Sequence, residues 1–591
     1  MFRSRIIVTL SLVALTAGLS GCGKIKEWGI EALASYYVPK YLGYIPPYEN
    51  DAQDVQTVKV AMRDGVKLET HIYLPEGKGP WPTIVVRDPY SYSKYLTCRL
   101  YVRYGYACVH QDVRGRFGSE GDWYPLVHER ADGVDTLNWV LAQPWQNGKL
   151  ALVGASYVGL VQWAIADKLP PEVKTFIADV SHGDYYELAY HGGQFDQGIT
   201  GAWLASLYPE GRDGKESALE WEKNVAGFMP ANGVDPAKFG KAWPAYRDYI
   251  AHPEKGDPFW HQPIYNEIRD SYKGVAVPVM LTGRWYDFFL RGTLKMFPDL
   301  PTRAESLLVI EPGDHSGRTG DLEVPGKKRG FANTVVWLDH YLKGEPLPDE
   351  LKPGYRYYVN GADRWEHADA WPTTQTVETL YLADLGKAKG KCDGGRLAAA
   401  EAETAPVSYV YDPKNPVRTR GGSFLLAPDV APAANAEQGS DLCSRGDVLS
   451  FSSEAIPTAK LISGPITVKL RVSSSAPDTA FAVKLSEHFA DGRVFNIRDD
   501  YMALAFRKGD DTRLTYTPGE EVELEFAMNP IAWQLQPGSK LRLDITSSNF
   551  PAFPVHSNKA GLWSAIATTD IATQTVHGGS VALAIEGTAA K

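Results

Sequence analysis

Apolar residues follow one pattern up to about residue 180, another to about 272, and a third after about 350. In the first stretch, short apolar runs alternate with segments of helical period. Residues 58–62 and 68–74, separated by Arg63-Asp64-Gly65, read as a hairpin with a tight turn. Runs at 83–86, 106–110, 150–153 and 175–180 are short and mostly apolar, as buried strands are. Segments 129–141 and 160–167 between them have helical character. Strands alternating with helices predict a mostly parallel sheet with helices on both faces. The alternation stops near Ser181. Residues 184–272 are rich in Trp, Tyr, Gly and Pro, with helical stretches at 217–224 and 236–249. This predicts a helical cap inserted over the C-terminal edge of the sheet, where open α/β folds bind ligands. Strands at 275–281 and 306–310 and a helix at 332–342 resume the first pattern. Short alternating segments then recur at 355–359, 378–381, 466–472, 480–485, 521–526 and 540–545, separated by Pro, Gly, Asn and Asp. They predict an all-β sandwich or jelly roll. The expected division is an α/β core over 51–183 and 273–350, a cap over 184–272, and a β domain over 351–591.

The first fifty residues fit none of these patterns. Arg3 and Arg5 precede an apolar run at 6–17, too short to span a bilayer comfortably. Leu19-Ser20-Gly21-Cys22 follows and resembles a bacterial lipobox. The resemblance implies removal of a signal peptide at 1–21, acylation of Cys22 and a tether over 22–50. Several acyl chains anchor stably where one is marginal. Gly23 after Cys22 resembles outer-membrane sorting in a Gram-negative host, with the chain on the periplasmic or cell-surface side. Membrane contact is then expected through the lipid anchor alone. The alternative is an ordinary secretory signal with an incidental cysteine.

Export changes how the remaining cysteines are read. Cys98, Cys108, Cys392 and Cys443 make an even set, which in an oxidising compartment suggests disulfides. Cys98–Cys108 and Cys392–Cys443 are the expected pairs, each within one domain, with buried free thiols as the alternative. No tight Cys/His spacing points to a metal. The 591 residues, 44% hydrophobic and 22% charged, suit a globular chain of several domains. A net charge of −10 without a long basic run makes nucleic acid an unsuitable partner.

The chemistry centres on Gly154-Ala155-Ser156-Tyr157-Val158-Gly159, between the strand at 150–153 and the helix that follows. A serine at a sharp strand-to-helix turn flanked by small residues is how an α/β-hydrolase exposes its nucleophile. The second glycine comes one place later than usual, at Gly159, with Val158 in its position. A serine hydroxyl needs a base, and the base needs a carboxylate to hold its tautomer. In this fold the chain order is Ser, acid, His. Asp287 follows one late strand and His315 follows another in a Pro-Gly turn, so both fall where acid and base belong. Asp314 is the competing acid, although a sequence neighbour rarely orients an adjacent ring. For the oxyanion, the backbone N–H of Tyr157 is the default donor. The loop after the strand at 83–86, Arg87-Asp88-Pro89-Tyr90-Ser91, lacks a Gly-rich run; the Tyr90 hydroxyl could donate instead, the alternative being a packed core tyrosine whose hydroxyl bonds elsewhere.

Tyrosine directly after the serine, Asp88-Pro89-Tyr90, the segment from Gln111 to Gly121, Trp285-Tyr286-Asp287 and the turn holding His315 together resemble one family. It comprises cocaine esterase, α-amino acid ester hydrolase and Xaa-Pro dipeptidyl-peptidase. Asp88 departs from the family's Asn. The similarity runs from about residue 55 to the end and includes Gly439-Ser440-Asp441 and Ser547-Ser548-Asn549-Phe550-Pro551. The resemblance implies an α/β-hydrolase core, a helical cap and a jelly-roll C-terminal domain. It implies Ser156, Asp287 and His315 as triad, with Tyr90 and Tyr157 as oxyanion hole. No cofactor or metal is implied, and the family leaves room for a homodimer of which this chain carries no signature. Family members that act on α-amino acyl groups carry acidic residues shortly after the catalytic aspartate. Here Phe288, Phe289 and Leu290 stand there, which favours an apolar or aromatic acyl group, although Asp184 and Glu187 could still supply charge. The expected function is a serine hydrolase cleaving a small carboxylic ester. The alternatives are a dipeptidyl-peptidase or β-lactam acylase on the same machinery, and a catalytically silent glycan-binding surface lipoprotein.

Overall fold

The computed structural model describes residues 53–90, 94–208, 220–225, 227–322, 330–372 and 375–586. The expected leader, Cys22 and the tether to residue 50 lie outside the described residues. The first sheet has ten strands. They are β1 (Gln56–Ala61), β2 (Lys67–Tyr73), β3 (Trp81–Asp88), β4 (Ala107–Asp112), β5 (Gln146–Ala155) and β6 (Val173–Asp179). After a small separate hairpin, β7 (Tyr190–His191) and β8 (Gln194–Phe195), come β9 (Val279–Tyr286), β10 (Leu307–Asp314), β11 (Gly354–Val359) and β12 (Arg364–Ala368). The spatial order is β1-β2-β4-β3-β5-β6-β9-β10-β11-β12. From β4 to β11 all neighbours are parallel; β1, β2 and β12 add antiparallel edges.

The central strands are apolar on both faces because helices cover both. Alternate residues of one strand therefore enter different cores. Leu150 and Leu152 pack with Trp163, Phe176 and Leu281 on one side. Ala151 and Val153 pack with Ile177, Met280, Val309 and Trp337 on the other.

Two sequence expectations change. The single helix at 236–249 is two, Val234–Phe239 and Pro244–Ala251. Gly240 takes φ +74° and ends the first, while Pro244 opens the second, each suited to its terminus. The strand at 355–359 belongs not to the β domain but to the first sheet. All six residues of β11 are buried, and the strand runs parallel to β10. Its short apolar pattern carries no mark of which sheet it joins.

The cap is held by aromatic packing around the fully buried Trp221, Trp243 and Trp260. The C-terminal jelly-roll domain is an all-β unit whose longest strands, Lys460–Ser474 and Ala572–Glu586, pair antiparallel. It meets the core through Tyr286, whose hydroxyl lies 3.0 Å from the carbonyls of Asn496 and Ile497. It meets the cap through the His191–Asp500 ion pair. Both disulfides, Cys98–Cys108 and Cys392–Cys443, are formed.

Candidate active site

Ser156 follows β5, Asp287 follows β9, and His315 follows β10. Those strands and β6 are parallel neighbours, so the three residues leave the same edge of the sheet. Ser156 has φ 59° and ψ −127°, a conformation that costs a non-glycine residue about 1–3 kcal/mol. Its N–H donates to Asp179 O at 3.0 Å, and its carbonyl accepts from Gly159 and Leu160, both at 2.9 Å. The glycines of the motif are fixed by close approach. A Cβ on Gly154 would stand 2.3 Å from Val158 Cγ1, and one on Gly159 would stand 2.6 Å from Ser181 Cβ. The displaced second glycine is thus where the following helix crosses β6's exit.

Asp287 is fully buried. Its Oδ1 lies 3.1 Å from His315 Nδ1 and accepts from Phe289 N–H at 3.0 Å. Asp314 is committed elsewhere: its carboxylate accepts from the backbone N–H of Ser316 and Arg318 and from Arg318 Nε, at 2.6–3.0 Å. It shapes the turn, and Asp287 orients the imidazole. Phe288 stacks on that ring with centroids 4.4 Å apart, and Phe289 follows at 5.6 Å. Arg284 ties the two loops by donating to His315 O at 2.8 Å and to Glu311 Oε2 at 3.1 Å. No hydrogen bond joins Ser156 Oγ to the imidazole in this conformation. Such bonds often tighten only when substrate is bound.

Tyr157 opens the helix Tyr157–Trp163, so its N–H has no carbonyl one turn back to bond. Its phenol is anchored behind the site, donating to Glu129 Oε1 at 3.0 Å and accepting from Leu126 N–H at 2.8 Å. Glu129 pairs with Arg87 at 3.0 Å; burial pushes its carboxyl up and Arg87 opposes this. Tyr90 lies beyond the end of β3, half-buried. Its N–H donates to Asp88 Oδ1 at 2.5 Å, and Asp88 Oδ2 lies 3.1 Å from His110 Nε2. The departure at Asp88 therefore keeps the turn contact and places a carboxylate oxygen against the buried His110 ring. The Tyr90 hydroxyl accepts from Trp203 Nε1 at 3.0 Å. Trp203, Glu129 and Arg87 have no sequence signal beyond the aromatic richness of the cap.

Beside Phe288, a cavity of about 350 Å³ opens between cap, core and β domain, lined also by Asp196, Ile199, Phe424 and Asp499. Asp184 is paired with Lys255 and Glu187 with Lys295, so neither is a lone charge. Asp196 is 93% buried, with neither hydrogen bond nor ion pair at its carboxyl, which burial and the Asp499 charge hold well above the usual carboxylate range. Among the described residues one His/carboxylate group has metal-ligand spacing, Glu69, His71 and Asp112. It sits on β2 and β4, across β3 from the strand that leads to Ser156, and is already engaged with Lys59 and Thr57.

A serine on such an elbow, with acid and imidazole paired on later strand ends of a parallel sheet, defines an α/β-hydrolase. Comparison with known proteins narrows this. The model of the X-Pro dipeptidyl-peptidase (S15 family) matches residues 64–317, and that of the X-Pro dipeptidyl-peptidase C-terminal non-catalytic domain matches 350–581. Cocaine esterase of Rhodococcus sp. (strain MB1 Bresler) is 31% identical over 539 residues, which cover 85% of this chain and 92% of that protein. The chain belongs to this family of hydrolases. Among solved structures, an α-amino acid ester hydrolase aligns with a TM-score of 0.76 at 22% identity, and an aminopeptidase from a marine-sediment Thaumarchaeota archaeon at 0.74 and 21%. Each covers 92% of this chain and 98% of its own and shows the same fold.

Proposed function

We propose that the protein is a serine carboxylesterase acting on small esters with an apolar or aromatic acyl group. The observation that carries this reading is the Asp287–His315 pair beside the Ser156 elbow, with the rings of Phe288 and Phe289 packed against the imidazole. Ser156 Oγ attacks the ester carbonyl as its proton passes to His315 Nε2. Asp287 holds the imidazolium. The oxyanion receives hydrogen bonds from Tyr157 N–H and Tyr90 O–H. His315 then protonates the alcohol oxygen as the C–O bond breaks. Water, deprotonated by the same imidazole, releases the acid and restores Ser156. This route draws on groups of the protein and one water.

A second reading, cleavage of amino-acyl or Xaa-Pro substrates, is favoured by one feature: the lone carboxyl of Asp196 in the adjoining cavity suits an ammonium group. Labelling by a fluorophosphonate in wild type but not in Ser156→Ala, followed by rates on neutral aryl esters and on an Xaa-Pro anilide, separates the readings. Dominant anilide cleavage overturns the first, and absence of labelling overturns both and leaves the silent glycan-binding lipoprotein. Two disulfides support export to an oxidising compartment. We take lipid attachment at Cys22 as the anchor, testable by a mass increase lost in Cys22→Ala.

A further inference from the structure

One residue of the aromatic cap touches both tyrosines assigned to the oxyanion hole. Trp203 lies on the cap helix Ala202–Leu207 and engages both tyrosines of the hole, 113 and 46 positions away in the chain. Its indole N–H donates to the Tyr90 hydroxyl at 3.0 Å, and its ring stacks on Tyr157 with centroids 5.5 Å apart and planes 29° from parallel. The cap helix and the Tyr90 loop are also clamped by backbone. Arg116, itself buried, donates from Nε to Pro89 O at 3.0 Å and from Nη1 to Leu207 O at 2.7 Å. Pro89 precedes Tyr90, and Leu207 ends the helix that carries Trp203, where a guanidinium also satisfies the helix's exposed carbonyls. Trp123 packs edge-on against Trp203 at 5.8 Å.

We propose that Trp203 is a positioning residue of the oxyanion hole, acting on the reaction through the Tyr90 hydroxyl. This rests on the esterase reading only in assigning Tyr90 as a donor. A phenol oxygen that accepts a hydrogen bond directs its own proton away from that donor. Accepting also polarises the O–H, so the bond it then gives is stronger. The gain matters most when negative charge develops on the substrate oxygen, because donors already in place need no reorganisation at that moment. Trp203 therefore acts on the chemical step more than on ground-state binding, as only interactions that strengthen in the transition state raise turnover.

The test uses the full chain and a fluorophosphonate, whose phosphoryl oxygen occupies the same hole and whose reaction needs no knowledge of the natural ester. The maximal rate of Ser156 phosphonylation and the half-saturating probe concentration are measured for wild type, Trp203→Phe, Tyr90→Phe and the double variant. Phenylalanine keeps a ring against Tyr157 and removes the N–H. We expect Trp203→Phe to slow the maximal step about 3–10-fold, with half-saturation within about twofold, the size of one hydrogen bond between neutral groups. Tyr90→Phe should slow it by about a hundredfold or more. In the Tyr90→Phe background, Trp203→Phe should change the rate by less than about twofold, because its target is gone.

An equal loss in both backgrounds, a change confined to half-saturation, or no change at all overturns the proposal. If Trp203→Phe does not fold, the same cycle is run with the Trp203 indole replaced by benzothiophene, which keeps the shape and exchanges N–H for sulfur. Ester turnover is measured in parallel. Absence of ester hydrolysis with the coupling intact rejects the esterase reading alone, and ester hydrolysis without the coupling rejects this one alone.

Discussion

Glu129 accepts the Tyr157 hydroxyl at 3.0 Å, so the residue that follows the nucleophile is anchored from behind by a buried carboxylate 28 positions upstream. The Leu126 N–H shares the same phenol oxygen. Tyr157→Phe leaves the catalytic N–H in place but strips Leu126 N–H of its acceptor and Glu129 of a donor. The expected result is a loss of about 1–3 kcal/mol in unfolding free energy with turnover reduced only a few-fold. Urea unfolding and ester kinetics on the same preparation check it. A collapse of turnover at unchanged stability would show that the phenol itself takes part in the chemistry.

The Asp287–His315 bond fixes which ring nitrogen carries the proton. Asp287→Asn keeps the shape but presents an amide where an acceptor is needed. Turnover should fall by on the order of ten-thousandfold with the fold intact. Asp314→Asn, which acts on the turn, should cost far less turnover and more stability. Equal losses in the two variants would remove Asp287 from its assigned role.

Asp196 gives a pH signature. Its folded carboxyl is held above its unfolded value of about 3.8, so the native state binds a proton that the unfolded chain releases. Below that value both states are protonated and the group contributes nothing. As pH rises from that value towards the folded pKa, its burial costs progressively more stability, and the cost levels off once both states are ionised. Asp196→Asn should therefore be more stable than wild type, by a margin that widens between pH 4 and pH 8. Thermal unfolding across that range measures it. A constant margin, or destabilisation throughout, would show that the carboxyl has a partner in solution.

Reduction should separate the two disulfides. Cys98 and Cys108 are fully buried, whereas Cys392 is partly exposed. Under a mild phosphine reductant, alkylation followed by peptide mass mapping should find Cys392 and Cys443 modified first. The Cys392–Cys443 link spans 51 residues and the other spans 10, so loop entropy alone assigns them roughly 4 and 3 kcal/mol. Loss of the first should lower the melting temperature of the native chain without abolishing fluorophosphonate labelling.

Gly159→Ala should disturb the elbow through a single added methyl. The added carbon has Ser181 Cβ at 2.6 Å, and the helix behind the nucleophile cannot retreat without moving Ser156. The labelled fraction of soluble protein is expected to drop at least tenfold, on the order of 1–3 kcal/mol of overpacking. Full labelling would mean that the elbow tolerates a wider helix offset.

What the residues reveal before folding depends on whether their signal is local. Ser156, Asp287 and His315 each follow a short apolar run, and strand ends in a parallel sheet share one edge, so their meeting could be read from order and spacing. The choice of Asp287 over Asp314 follows from chain geometry, since Asp314 is spent on its own turn. Trp203 could not be read in this way. Its partner is 113 positions away, and an indole in a region crowded with aromatics looks like any core residue. The break at Gly240 was written in the Gly-to-Pro interval but outweighed by the helical period on either side. The pairing of β11 with β10 had no local trace, because a short run of this kind reads alike in either sheet.

That pairing sets a limit on how the gene can be divided. β11 and β12 lie past the boundary that composition alone would draw near residue 350, yet they close the open side of the hydrolase sheet. A fragment ending at 350 would present the bare hydrogen-bonding margin of β10 to solvent, a template for intermolecular strand addition. Shortened versions for biotechnology should therefore extend past Ala368, and even these would uncover the ring of Tyr286 and the cavity wall that the last third of the chain provides.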